Sequence, residues 1–364
     1  MSLALAWAAL LLAALPFALA LWNLALYRTP APAMTPPPLS VLIPARNEER
    51  NIAAAVASVL ASEGVALELI VLDDGSTDRT SAILRDIPDP RLRVAGGGML
   101  PPGWSGKQHA CAMLAKLARH EMFVFMDADV RLAPDALSRM AGFMERHPVG
   151  LASGFPLQVV RTWSEQLLLP LIHVLLLGFL PIAVMQRSAA VGLGAGCGQL
   201  FIARRAEYER AGGHGAIRAS MHDGLTLPRA FRRAGSMTGL FDASRFATCR
   251  MYERVADLWE GLGKNATEGM ATPAALPLWT VLLLGGQVLP VVLMLAAPST
   301  VALLALVLSI GLRLILAARF RQPEGSALLH PVGVLALLVV QWAALLRVAR
   351  GRPATWRGRA YPAP

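Results

Sequence analysis

Two carboxylates stand at the end of an apolar run in the middle of the chain. Residues Met122–Met126 are apolar, and Asp127 and Asp129 follow them directly. Such a run is typical of a buried strand, and two side chains at positions i and i+2 of an extended chain point to the same side. At the carboxyl end of a strand they would face a cleft and hold Mg²⁺ or Mn²⁺ through oxygen atoms. Because a metal there would bind a diphosphate, the pair indicates an enzyme with a nucleotide-activated substrate.

Strands and helices that alternate from residue 39 onward would position these carboxylates. The pattern predicts strands at 39–44, 67–72 and 91–95, and helices at roughly 51–62, 78–85 and 106–119. This order is typical of an α/β fold with a parallel sheet and right-handed crossovers. Ligands bind such sheets beyond the carboxyl ends of the strands. We therefore expect the loops 44–50, 73–78 and 127–129 to meet at one edge.

The composition indicates a water-exposed middle held by membrane segments at both ends. The 364 residues are 55% hydrophobic and 16% charged, with a mean hydropathy of +0.50. Much of the net charge of +10 lies beside apolar runs, which fits the positive-inside bias rather than nucleic-acid binding. The cysteines are too far apart to suggest a metal site or a disulfide framework, as expected in a reducing compartment. The basic residues beside apolar runs are Arg319, Arg321, Arg347, Arg350, Arg352, Arg357 and Arg359. The cysteines are Cys111, Cys197 and Cys249.

The N-terminal apolar run predicts a membrane anchor. Residues 2–26 carry no charge and are long enough to cross roughly 30 Å of hydrocarbon. A retained anchor is favoured over a cleaved signal because the run lacks a basic start and is longer than a signal core. Arg28 follows it, so the subsequent residues should be cytoplasmic. We therefore predict an anchor at 1–28 and a Pro-rich linker at 29–38.

Further apolar runs lie at 165–186 and in the C-terminal third. If 165–186 crossed the membrane, Asp223 would lie on the opposite side from Asp127, so we interpret 163–187 as interfacial helices broken at Pro170 and Pro181. Within a membrane region at 266–350, the runs 276–296, 300–318 and 328–346 follow. Three crossings would leave the basic tail, 351–364, outside the cytoplasm. The first run could be re-entrant instead, so the number of crossings stays open.

Three strings of residues together resemble a known enzyme family. VLIPARNEERNI, LIVLDDGSTDRT and FVFMDAD occur in this order and look like the nucleotide-binding half of the family 2 inverting glycosyltransferases, over roughly 39–265. GWSGK at 103–107 and WRGRAY at 356–361 are similar to membrane-bound bacterial members of the hopene-associated, carotenoid-type and ceramide glucosyltransferase-like branch. The resemblance implies a GT-A fold, a Rossmann-like and mostly parallel sheet, in a cytoplasmic domain between N- and C-terminal transmembrane helices.

The resemblance also implies roles for the donor-binding residues. Asp73 or Asp74 would hold the uracil ring, although the pair could instead cap the helix that follows. Asp127 and Asp129 would bind the metal and the donor diphosphate, and Lys107 would supply a positive charge to it. Further predicted donor contacts are Trp104, which could stack on a sugar or base, and Pro44, Arg46 and Glu48.

On the acceptor side, Asp223 corresponds to the family's general base, which removes the proton of the acceptor hydroxyl. His222 stands where the family usually has Glu, and we interpret it as a neighbour of a helix cap. The family's Gln-x-x-Arg-Trp motif is absent. Pyrophosphate or acceptor contacts are assigned to Gln199, which follows the glycine-rich loop 192–198 that should shape the acceptor site. They are also assigned to Arg250, Trp259 and Lys264, unless this stretch is an amphipathic helix on the membrane surface.

These observations predict a multi-pass enzyme of the inner (plasma) membrane with a cytoplasmic catalytic domain. It would move a sugar, most simply a hexose, from a UDP-sugar to the hydroxyl or carboxyl group of an apolar lipid, by one in-line displacement. The alternatives are a polyprenyl-phosphate sugar synthase, a polysaccharide-extending transferase, or a membrane scaffold or transporter with a degenerate nucleotide-binding domain. The few predicted spans oppose polymer export, and retention of all five aspartates opposes a degenerate domain.

Overall fold

The computed structural model describes residues 3–252, 254–352, 354–356 and 359–361. They form two units, which we call the sheet unit (Tyr27–Leu157 and Val184–Arg250) and the helical unit (Met1–Leu26, Gln158–Ala183 and Met251–Pro364). Arg357 and Gly358 of the WRGRAY string lie outside the described residues, as does Glu253.

The sheet unit is built on one seven-stranded sheet in the order β3-β2-β1-β4-β8-β6-β9. Strands β1 to β4 are parallel to one another, and β6 is parallel to β9, whereas β8 runs antiparallel to both β4 and β6. The predicted mostly parallel α/β sheet is confirmed. The strands of the sheet are β1 Leu39–Ala45, β2 Leu67–Asp73, β3 Leu92–Gly96, β4 Met122–Met126, β6 Leu151–Phe155, β8 Leu200–Arg204 and β9 Thr238–Asp242.

The reversal at β8 follows from where the chain enters the sheet. The N–H of Asp127, just past the carboxyl end of β4, donates to the carbonyl oxygen of Gln199, just before β8, at 2.9 Å. The chain therefore enters β8 from the carboxyl edge and must run back along β4. A mixed sheet of this kind is common in large α/β folds.

The core of the sheet unit consists of apolar strand residues packed under helices. Every residue of β4 is buried, as its unbroken apolar run predicts. Phe123 and Phe125 contact Tyr208, with ring centroids 5.6 and 5.4 Å apart. The helices of this unit are α2 Ile52–Leu60, α3 Thr80–Arg85, α4 Gly106–Leu117, α5 Ala136–Arg146, α9 Arg205–Arg210 and α10 Asp223–Arg233, and a short antiparallel pair joins β5 Val130–Leu132 to β10 Ala247–Cys249.

The helical unit contains four helical segments that are long and apolar enough to cross a membrane: Leu3–Leu26, Ala275–Ala296, Thr300–Arg319 and Glu324–Ala349. The predicted apolar helices at both ends of the chain are thus confirmed. The second segment is continuous and contains a π-helical turn, Leu284–Val288, between α12 Ala275–Leu283 and α13 Leu289–Ala296. Helix α1 is Leu3–Leu26, α14 is Thr300–Arg319, and a 3₁₀ turn, Glu324–Leu329, leads into α15 His330–Ala349.

The region predicted to be interfacial forms short helices. They are α6 Trp163–Leu168, α7 Leu171–Phe179 and α8 Ile182–Met185, with breaks at Pro170 and at Leu180-Pro181. Together, α6 and α7 make an apolar segment that is shorter than the four candidate spans. Beyond it in the chain, α11 Val255–Asn265 belongs to the helical unit.

The first helix packs through its small residues. The buried positions of α1 recur every three or four residues, so they lie on one face. Opposite that face, a Cβ atom built on Gly286 would lie 2.7 Å from the carbonyl carbon of Leu12 and 3.2 Å from the nitrogen of Ala13. Only glycine permits this approach of two helix backbones.

Candidate active site

Three acidic side chains meet at the carboxyl edge of the sheet. Asp127 and Asp129 follow β4, and Glu48 follows β1. Burial, together with the negative charges of Asp127 and Glu48, raises the pKa of Asp129 from 3.8 to about 7. The predicted convergence of the loops after β1 and β4 is therefore present. It creates a region of negative charge that a cation would relieve.

A lysine at the start of α4 connects this acidic region to the start of α10. The Nζ atom of Lys107 lies 2.6 Å from Oδ1 of Asp127 and 3.0 Å from Oδ2 of Asp223, and it donates to the carbonyl oxygen of Gly198 at 3.0 Å. Burial opposes the charge of Lys107, but the two carboxylates raise its pKa well above the usual value. Two aspartates 96 positions apart in the sequence thus share one ammonium group.

The ionisation of Asp223 depends on this lysine. Burial alone would raise the pKa of Asp223, but the charge and hydrogen bond of Lys107 hold it below its usual value. Asp223 is the first residue of α10, where the helix N-terminus also favours a negative charge. The carboxylate is therefore buried and ionised.

The glycine-rich loop packs directly against the helix that carries Asp223. A Cβ atom on Gly198 would overlap the carboxylate of Asp223, and one on Gly224 would lie 2.7 Å from the carbonyl oxygen of Gly196. Any larger residue would displace the carboxylate or the first turn of α10. The loop predicted to shape the acceptor site thus contacts Asp223 itself.

The loops after β1 and β2 are cross-linked by their own polar groups. Asn47, with φ of 55°, donates from its N–H to Oγ of Ser76 at 2.9 Å, and its Oδ1 accepts from the N–H of Thr77 at 2.8 Å. Arg46 donates from Nη1 to the carbonyl oxygen of Asp74 at 2.6 Å. Pro44 belongs to β1 and lies opposite Leu72.

Asp73 and Asp74 have different surroundings. Asp73 accepts from the N–H of Ser76 at 2.9 Å and from the hydroxyl of Ser81, so its carboxylate holds its own loop, whereas the N-cap residue of α3 is Arg79. Asp74 is buried at the end of β2, beside Gly97. A role for either residue in holding the nucleotide base stays a prediction.

Comparison with known proteins identifies the domain that carries these residues. The sequence profile described as "Glycosyl transferase family 2" matches residues 40–205. Residues 40–205 are therefore similar to a family 2 glycosyltransferase domain. The match includes strands β1 to β6 and β8 and the acidic residues that follow β1, β2 and β4, whereas Asp223 lies beyond it.

Curated relatives of the chain are bacterial. A 4,4'-diaponeurosporenoate glycosyltransferase from Staphylococcus haemolyticus (strain JCSC1435) is 29% identical over 239 residues, which is 64% of this chain and 62% of the relative. The protein of the same name from Staphylococcus aureus (strain MRSA252) is 26% identical over 261 residues, which is 66% of this chain and 65% of that relative. The chain therefore spans somewhat less than two thirds of the length of these relatives.

A solved structure shares the fold. The mannosyltransferase PcManGT from Pyrobaculum calidifontis, solved in complex with GDP-Man and Mn²⁺, superposes with a TM-score of 0.54 at 20% identity, over 94% of this chain and 98% of the other. At this identity, the likeness concerns the fold alone. It supports the GT-A architecture of the family 2 domain.

Two cysteines of the sheet unit lie beside the acidic residues, which the sequence did not indicate. Cys249 lies close enough to Asp129 to interact with its charge. The side chain of Gln199 lies between Cys249 and Cys197, at 2.7 Å from one sulfur and 3.4 Å from the other. Burial raises the pKa of Cys249 and, to about 12, that of Cys197, so both are neutral thiols. The pairing of β10 with β5 explains the contact, because it places Cys249 opposite Val130.

A buried histidine is a second feature that the sequence did not indicate. His214 lies in the 3₁₀ turn Gly213–Ile217, and its Nδ1 is 2.8 Å from the hydroxyl of Tyr208. Burial lowers the pKa of His214 to about 3, so the ring is neutral. Its ring contacts Phe125 of β4 at 4.6 Å, which places it beneath the acidic edge as a packing residue.

The remaining predicted site residues are divided between the sheet unit and the helical unit. Trp104 is half-buried and contacts the ring of His109 edge-on at 5.5 Å, and His222 is the N-cap residue of α10. Arg250 is the last residue of the sheet unit. Trp259 and Lys264 lie on α11 of the helical unit, with Trp259 exposed.

The donor set fits a divalent metal that is completed by a ligand. Oδ1 of Asp129 is buried and has no hydrogen-bond partner, which leaves an oxygen available to a cation. Within the described residues, no three acidic, histidine or cysteine side chains form a ready-made metal site. Mg²⁺ typically binds one or two carboxylates and takes its other ligands from phosphates and water. Asp127 and Asp129 are suited to that arrangement.

Proposed function

We propose that this protein is an inverting glycosyltransferase that moves a sugar from a UDP-sugar to an apolar lipid. The observation that carries the proposal is the shared contact of Asp127 and Asp223 with Lys107, because it brings the predicted donor and base residues to one place. The family 2 domain supports the reaction class. The relatives are named for a carboxylate acceptor, diaponeurosporenoate, and the candidate spans offer access to an acceptor dissolved in a membrane.

The donor side is assigned to the residues at the carboxyl edge. Asp127 and Asp129 would hold Mg²⁺ or Mn²⁺, and PcManGT binds a nucleotide sugar together with Mn²⁺. When bound, the ion offsets the negative charge that develops on the departing nucleotide diphosphate. Lys107 lies beside Asp127 and provides a second positive charge for the diphosphate. The position assigned to the nucleotide base is bordered by Asp74, Arg46 and the loop of Asn47.

Lys107 also controls the basicity of Asp223, the proposed general base. While its ammonium group pairs with Asp223, the carboxylate is held in a weakly basic form. When the ammonium group turns to the donor diphosphate, Asp223 loses its cation and its pKa rises, because burial then dominates. Asp223 thereby becomes a better proton acceptor only when the donor is present. This order would limit wasteful deprotonation before the donor binds.

The proposed location is the inner membrane, with the family 2 domain in the cytoplasm and several spans in the helical unit. The four apolar segments support membrane attachment. The orientation rests on Arg28, which follows the first span. In this arrangement, a water-soluble nucleotide sugar meets the lipid acceptor at the cytoplasmic surface.

The direct test uses membranes from cells that express the full chain. Membranes are incubated with a radiolabelled UDP-hexose or GDP-hexose and Mn²⁺, and the lipids are then extracted. We expect label in the organic phase from the UDP-sugar, with the anomeric configuration inverted, and its loss by at least about a thousandfold in Asp223→Asn. Asp86→Asn, which removes an exposed carboxylate, is the matched control. Equal labelling by Asp223→Asn would refute the base assignment, and labelling from GDP-hexose alone would refute the donor assignment.

A further inference from the structure

Five polar side chains, linked by three hydrogen bonds, lie among the apolar segments of the helical unit. We call this set the polar ring: Gln287, Ser309, Arg313, Ser326 and His330. Oε1 of Gln287 accepts from the hydroxyl of Ser309 and from Nε2 of His330, both at 3.0 Å. Arg313 donates to the hydroxyl of Ser326 at 2.8 Å.

Helical spacing places the two hydrogen-bonded sets of residues next to each other. Ser309 and Arg313 are four residues apart on α14, so they lie on one face. Ser326 precedes His330 by four residues where the 3₁₀ turn leads into α15. The charge of Arg313 also acts on His330 across the ring. The ring therefore joins three of the four segments that could cross a membrane.

Two donor groups of the ring have no partner. Nε2 of Gln287 and Nη1 of Arg313 are buried without a hydrogen-bond partner, and Nδ1 of His330, an acceptor when Nε2 donates, is also unpaired. Gln287, Arg313 and His330 are at most 1% exposed. Arginine stays charged in proteins, yet Arg313 makes no ion pair with any residue that the structure describes. Such a charge is strongly unfavourable among apolar helices unless an anion compensates it.

Gln287 is presented by an irregular backbone. It lies in the π-helical turn that interrupts the segment Ala275–Ala296. Single π-helical turns of this kind often occur at functional sites. The turn also contains Gly286, which contacts the backbone of α1, so the position of Gln287 is fixed from the opposite side.

We propose that the polar ring binds the oxyanion of an apolar lipid, a carboxylate or a phosphate group. The guanidinium group of Arg313 matches the two oxygens of such an anion, and the amide of Gln287 supplies a further donor. The apolar faces of the surrounding helices suit the hydrocarbon part of the ligand. The ring shares no residue with the set assigned to catalysis, so the proposal does not depend on the proposed function.

The test measures binding by the purified full chain in a neutral detergent, followed by its melting temperature. Oleate is compared with oleyl alcohol, phosphatidylglycerol with phosphatidylcholine, and inorganic phosphate is added alone. We expect oleate or phosphatidylglycerol to raise the melting temperature more than its neutral counterpart, and the one that does so identifies the anion. Stabilisation of equal size by the neutral lipids would overturn the proposal. An equal effect of inorganic phosphate would overturn the assignment to a lipid.

Variants locate the site. Arg313→Gln should weaken binding of the stabilising lipid at least about tenfold, as expected for the loss of a charge-assisted hydrogen bond. Arg321→Gln removes the same charge from an exposed position just beyond α14 and should leave binding within about twofold. Equal losses in both variants would show non-specific attraction and refute the site. If Arg313→Gln does not fold, Gln287→Met provides a second variant. The comparison of charged with neutral lipids on the unmodified chain still decides whether the protein binds an anionic lipid.

Discussion

Replacing Asp129 by Asn should make the metal-free protein more stable while removing its ability to respond to metal. In the folded protein the pKa of Asp129 is raised from 3.8 to about 7. Between these values, the folded state binds a proton that the unfolded state has lost, so the stability of the fold falls as the pH rises through this window. Above pH 7, the full penalty of the ionised carboxylate is present. Below about pH 4 it is absent.

The size of the effect follows from the shift. One pKa unit corresponds to about 1.4 kcal/mol, so a shift of roughly three units gives about 4 kcal/mol. We expect roughly half of this, about 2 kcal/mol, because Asp127 and Glu48 share the repulsion and would relax when one charge is removed. For a unit of this size, that corresponds to an increase of about 4–8 °C in melting temperature.

The assay is thermal unfolding of the detergent-solubilised chain, followed by intrinsic fluorescence at pH 8 and pH 5, with EDTA or with Mn²⁺. At pH 8 in EDTA, Asp129→Asn should melt above the unmodified protein, and at pH 5 the difference should shrink. Mn²⁺ should stabilise the unmodified protein and have little effect on the variant. The matched control, Asp86→Asn, should change none of these values. A lower melting temperature for Asp129→Asn at pH 8 in EDTA would show that charge repulsion does not govern this site.

Three further changes test the packing and charge of the two units. Lys107→Met leaves two ionised carboxylates without their cation, so the melting temperature at pH 8 should fall by an amount that corresponds to about 2–3 kcal/mol, and the loss should diminish towards pH 4. Unchanged stability would contradict the bridge. Gly198→Ala should lower kcat at least about a hundredfold by displacing Asp223, whereas Gly192→Ala, where a Cβ meets open space, should be neutral. Gly286→Ala should reduce the melting temperature of the solubilised chain by forcing α1 away, with Gly325→Ala as the unobstructed control. Equal effects of the two alanines would argue against close packing at Gly286.

The first half of the sheet could be predicted because its strands have sharp ends. The apolar residues of β1, β2 and β4 stop at polar or acidic residues, and the observed bounds lie within about one residue of those expected. Parallel strands place their carboxyl ends on one edge, so the proximity of Glu48 to Asp129 follows from sequence pattern and general topology. In this part of the chain, local signals and the global fold agree.

The reversed strand could not be predicted by the same means. β8 is apolar and buried, and its side-chain pattern would be the same in either direction. Its direction is decided by the loop before it, whose Gln199 is fixed to Asp127 by a backbone hydrogen bond. A backbone hydrogen bond carries no side-chain signal. The contacts of Cys249 were hidden for the same reason, since they depend on the pairing of β10 with β5.

The position of Asp223 depends on that reversal. Because β8 begins at the carboxyl edge, the glycine-rich loop before it lies at that edge too, and Gly196 and Gly198 pack against the first turn of α10. A loop with larger side chains would hold the helix away, and Lys107 could not contact Asp127 and Asp223 together. The glycines and the lysine therefore act together. Close backbone packing brings Asp127 and Asp223 near each other, and the charge of Lys107 offsets the repulsion between them. If a bound donor competes for that cation, as we propose, donor binding will raise the basicity of Asp223.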